Sequence, residues 1–268
     1  VSQESPGEQV DDALEAAGLP TPDVVVEPDA DRLARAVASA LVARLAAAQA
    51  VHGSASVVLT GGGIGTAVLR EVAALAVEPE ASVVDWTAVD VWWGDERWVP
   101  ADDDERNEKG ARAALLDVVG VPAGRVHAIP ASDAGFAEPE EAAAAYADEL
   151  AASGDGGPPR IDVLMLGMGP EGHVASIFPD SPAATDSRTV VAVRDCPKPP
   201  PTRVSLGFAA INAAEEVWLL VSGEGKAEAV GRALTGGLSG VELPAAGVHG
   251  TRATRWLLDA DAASQLPR

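Results

Sequence analysis

Apolar positions fall along this chain in two rhythms that take turns. Ser56–Leu59, Thr87–Trp93, the run opening at Ile161, Thr189–Val193 and Val217–Val221 are short and rich in valine, leucine or tryptophan. Glycine or proline stands close by most of them, and such bounded runs predict buried strands. Between them, Asp31–Gln49, Ala67–Ala76, Glu105–Val118, Glu138–Ala152 and a stretch from Lys226 to about Leu234 carry alanine, leucine and valine at helical spacing. Pro28-Asp29 supplies a start signal for the first of these helices. Weaker signals add a short strand at Arg125–Ile129, an extended segment at Arg203–Leu206, a turn or short helix at Pro244–His249, a last strand at Arg255–Leu258 and a short helix after Asp259. Strands that alternate with helices predict an α/β fold: a three-layer α/β/α arrangement on a mostly parallel sheet. Residues 1–22 read as a loose tail and 23–268 as one domain. Ser153–Pro159 is rich in Gly and Pro, but a strand begins directly after it, so it reads as a loop inside that domain.

The ends of the predicted strands carry the polar residues of interest. After the run at Ile161 comes Gly167-Met168-Gly169-Pro170-Glu171-Gly172-His173, a carboxylate and an imidazole two positions apart on a glycine turn. Ligands of open α/β sheets bind at the carboxyl ends of strands. An imidazole oriented by a carboxylate is a general base suited to neutral pH. The same glycines match a dinucleotide fingerprint, with Asp195 near the spacing of its ribose-binding acid. Pro179 and Pro182, however, break the helix that fingerprint requires. The loop Thr60–Thr66 places Gly61, Gly62 and Gly63 between a strand and a helix, where backbone N–H groups can face an anion. Asp95-Glu96-Arg97 ends another strand, Arg203 follows a proline run, and Lys226 closes a Gly-x-Gly turn. Gly61–Gly63, Arg97, Arg203 and Lys226 together form a candidate anion clamp.

Composition narrows the partners. The 268 residues are 47% apolar and carry a formal charge of −22, which argues against nucleic acid or an anionic membrane as partner. In so acidic a chain an anionic substrate must be held by a few specific basic residues. Cys196 is the single cysteine, so neither an intrachain disulfide nor a cysteine metal cluster is expected. His-Glu-x-x-His and Gly-x-Ser-x-Gly are both missing, which disfavours a zinc protease or a serine hydrolase of that type and leaves water as the nucleophile for any hydrolysis. Residues 1–30 lack a basic start and an apolar core, and no apolar run approaches the ~20 residues of a bilayer span, so a cytoplasmic protein is expected.

Several segments, in order, resemble the 6-phosphogluconolactonase family, relatives of glucosamine-6-phosphate deaminase. They are Leu59–Gly63, Trp93–Pro100 with Asn107, Leu166–Pro179, Arg203–Leu206, Ile211–Ala214, Gly223–Ala227, Leu243–Ala246 and Trp256–Asp259. The resemblance implies hydrolysis of 6-phospho-D-glucono-1,5-lactone, with no organic cofactor and no required metal. It implies His173 as the base that activates water, Glu171 as its orienter, and Asp95 as a group positioning substrate or water. Gly61, Gly62, Arg97, Arg203 and Lys226 fall at phosphate or sugar contacts. The chain departs from the family's usual pattern at Glu171, where Asp is common, and at the end of the first loop, which reads Gly62-Gly63-Ile64-Gly65 where the family usually has Gly-Gly-Ser-Thr-Pro with its hydroxyl donors. Two other readings share much of this pattern: an amino-sugar-phosphate deaminase or isomerase, and a non-catalytic sugar-phosphate sensor.

Overall fold

The computed structural model describes residues 18, 20–77, 83–154 and 159–266. The expected tail at 1–22 and the middle of the loop at 153–159 lie largely outside them. Six strands form the main sheet in the order β1-β9-β8-β5-β2-β3. These are β1 (Asp23–Glu27), β2 (Ala55–Leu59), β3 (Val89–Trp93), β5 (Val163–Gly167), β8 (Glu216–Val221) and β9 (Ala253–Asp259). Every pairing among them is parallel. The α/β class and the mostly parallel sheet are therefore as expected. The central strands β2 and β8 are buried at every position, which is why they read as unbroken apolar runs and not as alternating ones.

A second sheet of β4 (Asp95–Arg97), β7 (Arg203–Leu206) and β6 (Val190–Val193) is antiparallel. Gly94 alone separates β3 from β4, so the chain passes from one sheet to the other at a strand's carboxyl end. Helix α1 (Ala30–His52) packs beside α2 (Gly62–Ala76) and over β9 and β2, and α4 (Pro139–Ser153) covers β6 and β7. Between them α3 runs from Asn107–Ala111 through a π turn at Arg112–Leu116 to Asp117–Val119. The short α5 (Phe208–Ile211) follows β7, and α6 (Ala227–Thr235) follows β8.

α1 corrects one expectation. It contains an 18-residue window of mean hydropathy 1.3, enough by length and composition for a bilayer span. Its Leu33, Val37, Leu41 and Leu45 form a buried stripe at the spacing of a helix laid on a sheet. Arg44, on the same helix, bonds Glu215 at 2.6 Å and Glu216 at 2.8 Å.

Other expectations shift as well. β1 was not foreseen, and it pairs with β9 in register from Asp23–Arg255 to Glu27–Asp259. Arg125–Ile129 is no strand: a 3₁₀ turn at Ala123–Arg125 leads into one bridge between Val126 and Val91. That segment and α4 cover the open edge of β3, with His127 N–H donating to Val91 at 2.8 Å. Trp93 N–H donates to the Tyr146 hydroxyl at 3.0 Å, and that hydroxyl donates to Trp93 O at 3.2 Å. An unpaired edge is thereby satisfied within the chain. The segment after Asp259 forms turns in place of the expected helix.

Candidate active site

The sheet order reverses between β2 and β5. The chain goes from β2 outward to β3, then returns to β5 and moves on to β8. A crevice at the carboxyl ends of strands is expected at such a switch point. A cleft of about 230 Å³ lies there, lined by Gly61, Gly62, Gly63, Asp95, Arg97, His173, Arg203 and Lys226 among others. Eight of the nine residues singled out from the sequence thus share one cleft. Glu171, the ninth, stands behind His173. Thr60 ties the two glycine turns together, accepting from Gly167 N–H at 3.1 Å.

His173 is held by packing and charge. Its ring stacks on Phe178 with centroids 4.4 Å apart. Its Nδ1 lies 3.1 Å from Glu171 Oε1, which leaves Nε2 as the nitrogen turned away from the carboxylate. The approach is close but not aligned as a hydrogen bond, and Nδ1 has no aligned partner among the described residues. Burial pushes the imidazole below its ordinary pKa, outweighing the upward pull of Glu171, while nearby Lys198 adds to the lowering. The ring is therefore neutral at neutral pH and free to accept a proton. Glu171 is lowered instead: burial would raise it, but hydrogen bonds from its own backbone and from Lys198, together with the charges of His173 and Lys198, prevail. Gly169 makes room for the pair, since a Cβ there would fall 2.1 Å from His173 Nδ1 and 2.6 Å from Glu171 Oε2.

Lys198 escaped the sequence reading. Its ammonium sits 3.0 Å from each oxygen of Glu171. A signal existed: it is one of three lysines in the chain, set in a stiff Pro-Lys-Pro-Pro-Pro run. Arg203, expected as an anion contact, donates from Nε to Pro200 O at 3.1 Å and from Nη2 to Lys198 O at 2.9 Å. Its first structural effect is to shape the loop that carries Lys198. Nη1 takes no part in these bonds.

The Asp95-Glu96-Arg97 cluster divides its labour. Asp95 faces the cleft and accepts from Ser176 Oγ at 2.7 Å. Glu96 turns inward, 1% exposed, and accepts the amides of Arg97, Asn107 and Glu108 at 2.8–2.9 Å. It caps the start of α3, and burial raises its pKa against the pull of Arg106 and those amides. Asn107 donates to Asp95 O at 3.0 Å, which fixes the strand carrying Asp95. A Cβ on Gly61 would meet the Asn107 side chain, so any larger residue there would push Asn107 off Asp95 O.

The cleft holds donors suited to an anion. α2 begins at Gly62 and not at Ala67, so the glycines form its first turn. That turn has no side-chain cap and no acidic residue, and its free amides border the cleft. Arg97 gives Nη1 to Glu105 O, while its buried Nε has no partner among the described residues. Lys226 donates to Ser222 O at 2.9 Å, and burial lowers its pKa despite Asp259, helped by Lys198. The Gly167–Gly172 turn offers few free amides to an oxyanion. Gly167, Gly169 and Gly172 spend their amides on Thr60, His173 O and Gly169 O.

One group of metal-ligand type lies elsewhere among the described residues: His52, Asp162 and Glu215 bring ligand atoms within 4.8 Å of one another. Arg44 already supplies the positive charge, 2.6 Å from Glu215 and 3.6 Å from Asp162. That arrangement is a salt-bridge network around a buried carboxylate.

Known proteins with this architecture carry related names. Residues 28–256 match the family described as glucosamine-6-phosphate isomerases/6-phosphogluconolactonase. The chain is 50% identical over 254 residues to a 6-phosphogluconolactonase of Streptomyces coelicolor, covering 92% of this chain and 96% of that one. It is 52% identical over 248 residues to a 6-phosphogluconolactonase of Mycobacterium tuberculosis, covering 91% and 98%. The solved structure of 6-phosphogluconolactonase from Trypanosoma brucei superposes with a TM-score of 0.78 at 28% identity, covering 92% and 99%. With that match and those relatives, the chain belongs to the glucosamine-6-phosphate isomerase/6-phosphogluconolactonase family.

Proposed function

We propose that the protein is a sugar-phosphate lactonase that hydrolyses 6-phospho-D-glucono-1,5-lactone to 6-phospho-D-gluconate, the second step of the oxidative pentose phosphate pathway. The observation that carries this reading is a half-buried histidine, its pKa lowered, on the same cleft as an uncapped helix start and three cationic side chains. The substrate phosphate lies against the first turn of α2, with Arg97 and Lys226 adding charge. Clamping this remote group fixes the lactone carbonyl near His173.

His173 Nε2 accepts a proton from water as the water oxygen bonds to the lactone carbonyl carbon. The carbonyl electrons move onto oxygen to give a tetrahedral oxyanion. When that oxyanion collapses, the bond to the ring oxygen breaks, and the ring oxygen takes the proton back from His173. Glu171 steadies the imidazolium between these steps, and Asp95 positions the attacking water or a sugar hydroxyl. Nothing in this sequence calls on an organic cofactor or a metal.

The direct test is an assay of the wild-type protein with the phosphogluconolactone, corrected for spontaneous opening, beside an assay with glucosamine 6-phosphate. Hydrolysis of the lactone above background is expected. Turnover of the amino sugar alone would overturn the reading in favour of a deaminase, and binding of 6-phosphogluconate without any hydrolysis would leave a sensor.

A further inference from the structure

The bond between Lys198 and Glu171 has a consequence for the base. Glu171 extends one methylene further than an aspartate would, and a longer carboxylate has more rotamers to occupy. Lys198 removes that freedom by holding both carboxylate oxygens at 3.0 Å, and Oε1 of the same carboxylate stands 3.1 Å from His173 Nδ1. Lys198 is in turn held from behind. Arg203, 5% exposed, donates to the carbonyls of Lys198 at 2.9 Å and Pro200 at 3.1 Å, and its guanidinium lies 5.9 Å over the Phe178 ring on which His173 stacks. The chain of contacts runs Arg203, Lys198, Glu171, His173, and it closes through Phe178.

We propose that Lys198 is a positioning residue of the hydrolytic site, acting on His173 through Glu171 and not by contact with the substrate. This inference rests on the lactonase reading above. The lysine anchors a carboxylate that would otherwise swing, and it sets the charge around the base. The charged groups acting on His173 are Glu171 from its own turn, Lys198 from the proline loop and Asp95 from β4. Arg97, Arg203 and Lys226 line the same cleft. Among these, Lys198 is a cation that opposes protonation of the imidazole.

Two substitutions give opposite signatures. In Lys198→Met the cation is gone, so His173 is protonated more readily, and the acid limb of the pH profile moves to higher pH. In Glu171→Gln the carboxylate is gone, so the limb moves to lower pH. Both variants lose kcat, by about tenfold for an orienting group one step removed from the chemistry, with KM little changed. Lys198→Arg keeps the charge and restores most of kcat. Melting curves of all variants establish that each is folded, which half-exposed Lys198 should tolerate.

Full pH–rate profiles of kcat and KM decide the matter, given that the wild-type protein hydrolyses the lactone. If the wild type shows no hydrolysis, the lactonase reading itself fails. If the wild type is active and Lys198→Met raises KM alone with the limb unmoved, Lys198 is a substrate contact and the inference is overturned. An active Lys198→Met variant with unchanged kcat and limb overturns it equally.

Discussion

Two histidines in this molecule look alike in outline and are opposite in chemistry. His173 stacks on Phe178 at 4.4 Å, and His127 stacks on Trp92 at 3.8 Å. Each has a carboxylate near Nδ1: Glu171 at 3.1 Å for His173 and Glu149 at 2.7 Å for His127. The difference lies at the other nitrogen. His127 Nε2 meets Asp90 at 3.2 Å, so both of its nitrogens face acids, an arrangement that favours the protonated ring. Burial opposes that charge, but Asp90 and Glu149 together raise its pKa. His173 has one carboxylate, poorly aligned and shared with Lys198, and its burial pushes the pKa down. A histidine beside a carboxylate is therefore not a base by that fact alone. It serves as one where a nitrogen is left free and the neutral form is favoured at working pH.

Substitutions at the two rings should separate these roles, and the largest effect belongs to the base. His173→Ala is expected to lower kcat by about 10²–10⁴-fold with little change in KM, the range for loss of a general base. Steady-state kinetics with subtraction of spontaneous lactone opening measures it. Gly169→Ala comes next. The added methyl would fall 2.1 Å from His173 Nδ1, so the pair must shift, and misplacement on that scale costs about 10²-fold in rate. A near-wild-type rate in Gly169→Ala would show that the placement of the pair is unimportant.

Around His127 the losses should appear in stability. Tyr146 tilts against Trp92 and holds both backbone groups of Trp93, and burial raises its phenol pKa so that the hydroxyl stays protonated. Tyr146→Phe leaves those buried groups unpaired, at a cost of about 1–3 kcal/mol in a denaturant melt. The smallest effect is expected from His127→Gln, and it depends on pH. Because the folded pKa lies above the unfolded value of about 6.5, the contribution is complete below that value and fades as pH rises through the folded pKa. The Tm gap between wild type and variant should therefore be widest in acid and close in alkali, with hydrolysis unaffected throughout.

The same contrast bounds what could be read from the residues alone. His173 was legible because it stands on a glycine turn directly after a buried apolar run, and that order alone places it at a strand's carboxyl end. His127 gave a false strand, since Arg125–Ile129 has a strand's composition but forms a single bridge. β1 is not evident from its β-branched run Val24-Val25-Val26 alone, because its partner β9 lies more than two hundred residues away. β4 carries no apolar pattern: Asp95 and Glu96 are buried because Ser176 and the start of α3 bond them. α2 starts earlier than its apolar spacing predicts, because glycines seldom open a helix on propensity, and here its first turn borders the cleft. The tie from Lys198 to Glu171 spans 27 residues and depends on how Arg203 folds the proline loop, which no local pattern reveals.

One NMR titration of the wild-type protein, with the imidazole signals assigned by His127→Gln and His173→Ala, tests the contrast at its root. His127 should titrate above the ordinary histidine value and His173 below it, so that on raising the pH His173 loses its proton first. A His173 that titrates above His127 would contradict the account and remove its claim to be the base.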